Sequence, residues 1–120
     1  MNESASHTVI RFEDLIAWQK ARLLVKEVYA LFKDSRDFGF KDQICRASVS
    51  VMNNLAEGFE KRTTPEWRNY LFISKASCGE VRSMLYVALD LGYVQKSEFE
   101  SLKNQCEEVS KIISGLIKSL

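Results

Sequence analysis

Residues 42–62 read DQICRASVSVMNNLAEGFEKR, and the periodicity of this stretch decides the fold. Ile44, Ala47, Ser48, Val51, Leu55 and Phe59 recur at steps of three and four, the spacing of one helical face. Arg46, Ser50, Asn53 and Glu57 recur in the same way and share a second face. That second line is a hydrogen-bonding ladder, with a guanidinium donor fork at one end and a carboxylate acceptor at the other. Apolar residues flank it on both sides, so the spacing predicts a partly buried ladder. A buried polar group without a partner costs about 1–3 kcal/mol, so each rung needs one. The next helix offers Ser74, Ser77 and Glu80 at three-residue steps. The structural expectation is a polar network of Arg46, Ser50, Asn53, Glu57, Ser77 and Glu80 that fixes helix register. The alternative is a ligand groove lined by the same residues.

Upstream, residues 1–10 carry no periodic pattern and are expected to form a mobile leader, with the bundle domain spanning residues 11–120. From Phe12 the pattern turns helical: Leu15, Trp18, Ala21, Val25, Val28 and Phe32 make one stripe, widened by Ala17, Leu24 and Leu31. The run from Asp34 to Phe40 interrupts it, with Gly39 as the expected turn residue, and the second helix is expected over residues 41–60. Gly58 lies where a glycine can close a helix.

Downstream, Thr63-Thr64-Pro65-Glu66 is a helix start: a threonine cap, a proline in the first turn and a glutamate at the positive end of the dipole. The third helix runs to about Leu91, with Trp67, Tyr70, Leu71, Ile73, Ser74, Ser77, Val81, Met84, Leu85, Ala88 and Leu89 on its buried side, and Gly92 ends it. Ser97 and Glu100 have capping-box spacing and open a fourth helix, buried through Leu102, Cys106, Val109, Ile112 or Ile113, Leu116 and Leu120. Four amphipathic helices joined by short turns predict an all-α fold, an antiparallel up-down four-helix bundle.

Composition narrows the function classes. With 120 residues the chain forms one domain, and a formal charge of +1 means that nucleic-acid binding must rest on a local patch. Lys61, Arg68, Lys75 and Arg82 supply one: they fall every seven residues, about 10 Å apart along a helix. Cations so spaced can follow phosphates, and Trp67 and Tyr70 can stack on bases; the other reading is a solvated face with the aromatics turned inward. The three cysteines, Cys45, Cys78 and Cys106, are widely separated and are expected as buried reduced thiols in a cytoplasmic protein. No apolar run is long enough to span a bilayer. The single histidine, His7, lies in the leader, and no Glu-x-x-His pair, zinc set or phosphate-binding glycine loop is present. The expectation is therefore no catalytic residue, no metal and no cofactor. A nuclease using Glu57 and Glu80 as a metal-binding carboxylate pair ranks third.

The chain also resembles a known family. Its opening, Phe12-Glu13-Asp14-Leu15 through Trp18-Gln19-Lys20-Ala21, its centre, Arg46-Ala47 through Asn54-Leu55-Ala56-Glu57-Gly58, and the segment Ala76-Ser77 with Gly79-Glu80-Val81-Arg82 are similar to the bacterial 23S ribosomal RNA intervening-sequence proteins. The turn Leu91-Gly92-Tyr93 matches as well. Met52 stands where relatives often carry proline, which implies a straighter second helix here. The resemblance implies a four-helix bundle assembled as a homo-oligomer, a ring of five copies. It also implies RNA as a possible partner, by analogy with similar bundles that bind nucleic acid through a basic ring surface. On that analogy Lys61, Arg68, Lys75 and Arg82 are the binding positions. The alternative is a protein–protein interaction module without nucleic acid; no membrane partner is expected.

Overall fold

The structure is a computed structural model that describes residues 9–61 and 63–120. Most of the expected leader, with His7, lies outside the described residues. The described chain holds a single 3₁₀ turn at Phe12–Asp14 and four α-helices: α1 (Ile16–Phe32), α2 (Phe38–Phe59), α3 (Thr64–Asp90) and α4 (Lys96–Lys118). No strand occurs among the described residues, so the protein is an all-α four-helix bundle.

Cross-helix contacts fix its direction. Lys20 and Glu27 of α1 meet Glu108 and Gln105 of α4, so the two chains run opposite ways. Ser50 meets Ser77 while Gln43 meets Glu80, which makes α2 and α3 antiparallel too. α3 and α4 repeat the pattern through Tyr86 with Phe99 and Arg82 with Glu107. Each helix thus packs on its two sequence neighbours or, for α1 and α4, on each other. The long axis of 44 Å is about the length of α3, whose 27 residues rise roughly 1.5 Å each.

The helix boundaries follow local chemistry, and three differ from the periodic reading. α2 begins at Phe38 because Asp37 caps it, its Oδ1 accepting from the Phe40 N–H at 3.2 Å. Gly39 therefore sits in the first helical turn, not in a loop. α4 begins at Lys96, two residues earlier than a box of Ser97 and Glu100 would start it; instead the N–H of Gln95 donates to Glu98 Oε1 at 2.8 Å. Gly58 lies inside the last turn of α2, where it packs against Trp67 and Tyr70 of α3. The start of α3 forms as the sequence predicts: Thr63 Oγ1 accepts from the Glu66 N–H and donates to Glu66 Oε1 at 2.8 Å. Gly92, at φ +74°, turns the chain out of α3 in the left-handed region that glycine adopts without steric cost. α2 passes through Met52 without interruption.

The core divides into two apolar clusters along the bundle. One holds Leu24, Val28, Phe32, Ile44, Leu85 and Phe99 among others; the second centres on Ala21, Val51, Leu55, Leu71, Ile113 and Leu116. Buried hydroxyls lie among them: Ser48, between the two clusters, donates to the Cys45 carbonyl, and Ser74, within the second, donates to the Val51 carbonyl, each at 2.7 Å. Every fully buried side-chain N or O among the described residues has a partner. Ile73, placed on the inner stripe by its spacing, is 42 % exposed. It sits at the rim of the α3 stripe, and Ser74 takes the buried place beside it.

Candidate nucleic-acid interface

The surface of α3 that faces away from the core is not uniform. At 100° per residue its outward side divides into three bands. Along the edge that borders α4 run Arg68, Lys75 and Arg82. Along the edge that borders α2 stands Glu80, which accepts a hydrogen bond from Gln43 at 3.3 Å. Between and beside them lie the exposed apolar residues Phe72, Ile73, Val87 and Leu91, from 42 to 56 % accessible. They form two groups, Phe72 with Ile73 and Val87 with Leu91, about 21 Å apart along the helix.

The four expected cations stand in different settings. Lys61 lies in the turn between α2 and α3, and its Nζ is 5.8 Å from the centre of the Tyr70 ring. Arg68 is half-buried on the first turns of α3, whereas Lys75 and Arg82 are exposed. Arg82 Nη1 is 3.7 Å from Glu107 Oε2, and Lys103 Nζ is 3.3 Å from the same oxygen. Trp67 is half-buried, edge-on to Phe59 at 5.8 Å and packed against the second apolar cluster. Its ring belongs to the core margin, and Tyr70 stands with Lys61 against α2, on the other side of α3 from Arg68, Lys75 and Arg82. Tyr70 lines a groove with Phe12, Ala56, Glu57, Glu60 and Lys61.

The polar ladder separates into two parts. Ser50 and Ser77 join at 2.8 Å, and the Asn54 amide donates to the Ser50 hydroxyl at 3.0 Å and to its carbonyl at 2.8 Å. Asn54, not Asn53, is the amide of this network; it lies one turn from Ser50 on the side facing α3. Arg46, Asn53 and Glu57 are exposed, and Arg46 pairs with Asp42 on its own helix at 3.2 Å. Of the line from Arg46 to Glu57, Ser50 is the member turned furthest toward α3, and the other three face solvent. Glu57 and Glu80 do not form a carboxylate pair: Glu80 is bonded near Gln43, and Glu57 lies fourteen residues on, about 21 Å along α2. Among the described residues no three His, Cys, Asp or Glu side chains are grouped to hold a metal ion. All three cysteines are free and buried. No described helix is long and apolar enough to cross a membrane.

This fold and surface define a small antiparallel helical bundle that leaves large apolar side chains of α1 and α3 exposed. The profile of the 23S rRNA-intervening sequence protein family matches residues 13–115, and the chain belongs to that family. A crystal structure from the S23 ribosomal protein family of Bacteroides thetaiotaomicron VPI-5482, described as a protein with unknown function, has the same fold. It superimposes with a TM-score of 0.81 at 20 % identity, over 86 % of this chain and 99 % of that one. None of the curated proteins matches the chain.

Proposed function

We propose that the protein is a non-enzymatic, self-associating bundle that binds RNA through the cation-bearing edge of α3. The observation that carries this reading is the presence, on one helix, of exposed large apolar side chains (Phe72 and Ile73, then Val87 and Leu91) beside the row Arg68, Lys75 and Arg82. Burial of Phe72, Ile73, Val87 and Leu91 against another copy removes apolar area from water at about 25 cal/mol per Å². The contact is head-to-tail, so it generates a closed ring when its rotation permits, and the family resemblance gives five copies. Repetition multiplies a row that in one copy neutralises only a few phosphates. Lys61 stands apart from that row, on the α2 side, where with the Tyr70 ring it offers a separate cation and a face for a base. RNA as ligand and thiols kept reduced both place the protein in the cytoplasm.

The exposed apolar side chains also favour a second reading, a module that docks another protein and binds no nucleic acid. Light scattering on the purified protein, with and without structured ribosomal RNA at low and moderate salt, separates the two. A multimer that gains mass with RNA and loses it as salt rises supports the first, because phosphate contacts release counterions. Arg68→Glu with Lys75→Glu then abolishes the complex. A multimer indifferent to RNA transfers the face to a protein partner, and a monomer removes the ring.

A further inference from the structure

Between α3 and α4, on the cation side, the surface opens into a notch of about 110 Å³. Lys75, Gly79 and Arg82 of α3 and Ser110 of α4 form its walls, with Cys78 and Cys106 buried beneath. A water takes roughly 30 Å³ of liquid, so the space suits a few waters or one tetrahedral oxyanion. Gly79 contributes no side chain to this wall, and a Cβ placed there meets nothing within 4 Å, so a larger residue has room to enter the gap. Lys75 stands four residues before Gly79 and Arg82 three after it, so the two cations bracket the gap on one face.

The local charge is suited to an anion. Glu107 is the carboxylate bonded at this seam, and it is shared between Arg82 and Lys103, so one negative charge is set against three cations with Lys75. The thiols add none at neutral pH: burial pushes both Cys78 and Cys106 up to about 12. Their S–H groups and the Ser110 hydroxyl are donors. We propose that this notch holds a single phosphate group, gripped between the Lys75 ammonium and the Arg82 guanidinium with the Ser110 hydroxyl at its side. The inference rests on the RNA reading, in that the phosphate is a diester of the bound strand; a free phosphate ion is the other source of the same chemistry.

Gly79→Leu tests the notch by itself. It fills the gap and leaves every cation in place, and replacing glycine inside a helix favours folding. Inorganic phosphate, followed by ³¹P line broadening, and a single-stranded RNA oligonucleotide without terminal phosphates are titrated into wild type, Gly79→Leu and Arg68→Glu. The expected result is binding of both probes by wild type and about tenfold weakening of both in Gly79→Leu, on the scale of one lost charge-assisted contact. Arg68→Glu, which does not line the notch, weakens only the RNA. Phosphate binding that Gly79→Leu removes, with no RNA binding by any form, upholds the notch as a site for free phosphate and sinks the RNA reading. RNA binding unchanged in Gly79→Leu, with no phosphate binding, overturns the notch and spares the RNA reading. No binding of either probe overturns both.

Discussion

Ser50 and Ser77 meet hydroxyl to hydroxyl at 2.8 Å across the α2–α3 contact, at the seam between the two apolar clusters. On α2 the seam falls between Ala47 and Val51, and on α3 between Cys78 and Val81. A slide of either helix by one turn separates the two hydroxyls and forfeits the bond, so the pair holds register. Ser77→Ala should lower stability by about 1 kcal/mol, and Ser50→Ala by at least as much, because Ser50 also receives Asn54. The double variant should cost less than the two single losses together, since one shared bond is removed in each. Urea midpoints measure all three. Strict additivity would mean that the hydroxyls are not coupled.

Gly58 marks the closest approach of α2 and α3. A Cβ there would overlap Tyr70 Cβ and lie 2.8 Å from Trp67 Cε3, so neither neighbour can yield by a small rotation of its tip. Gly58→Ala should destabilise by roughly 1–3 kcal/mol, the usual range for an overpacked site. Gly115→Ala, on α4 with nothing within 4 Å, should instead stabilise by about 0.5–1 kcal/mol. Opposite shifts in thermal midpoint would separate packing from helix propensity. A stable Gly58→Ala would show that the helices separate without cost.

The fold was legible in the sequence because its signals are local and periodic: Thr63 to Glu66 caps α3, Gly92 ends it, and the apolar spacing assigns most of the core. Gly58 was misread as a terminator because its role depends on Trp67 and Tyr70, which only the folded contact brings near. The ladder was half legible for a similar reason. Spacing places Arg46, Ser50, Asn53 and Glu57 on one stripe, but its members scatter over roughly 60° of the helix, and Ser50, at the edge nearest α3, is the one that reaches it. Asn54 escaped because its neighbour Asn53 fits the step better; its link to Ser50 is an i to i+4 bond that the same rule contains. The cation row was legible, whereas the gap at Gly79 between two of its members needed α4 in place.

Asp37 and Tyr93 tie the start of α2 to the turn between α3 and α4. The Tyr93 hydroxyl donates to Asp37 Oδ2 at 2.7 Å, and the Tyr93 ring packs edge-on to Phe40, which packs on Phe32. The hydroxyl, and then the Phe40 N–H, hold the Asp37 carboxyl below its ordinary range. A depressed folded value contributes stability above the unfolded carboxylate range that is lost as pH falls through the folded value. Acid unfolding of the wild type should therefore be steeper below about pH 4 than that of Tyr93→Phe, which keeps the ring and loses the bond. Thermal midpoints across acidic pH report the difference. Parallel curves would show the bond to be spent in water.

The cysteines report on the α3–α4 seam from the alkaline side. Cys78 and Cys106 are 2 and 1 % exposed, and burial pushes each thiol up to about 12. Cys45 is raised as well, first by burial. The attacking species is the thiolate, so at pH 8 a thiol titrating near 12 offers about one part in ten thousand of it. A disulfide reagent should consequently label none of the three rapidly in the native protein and all of them in denaturant. The slow native rate measures how often the seam opens. A raised folded value also means that the native state keeps protons that the unfolded chain releases near 9, so stability should fall as pH rises from there toward 12. Replacing both Cys78 and Cys106 by alanine removes their share of that slope and leaves the parts due to Cys45, raised by burial, and Tyr93, whose hydroxyl is raised by its bond to Asp37. Rapid labelling of Cys78 at neutral pH would show an open seam, and with it a notch wider than one phosphate requires.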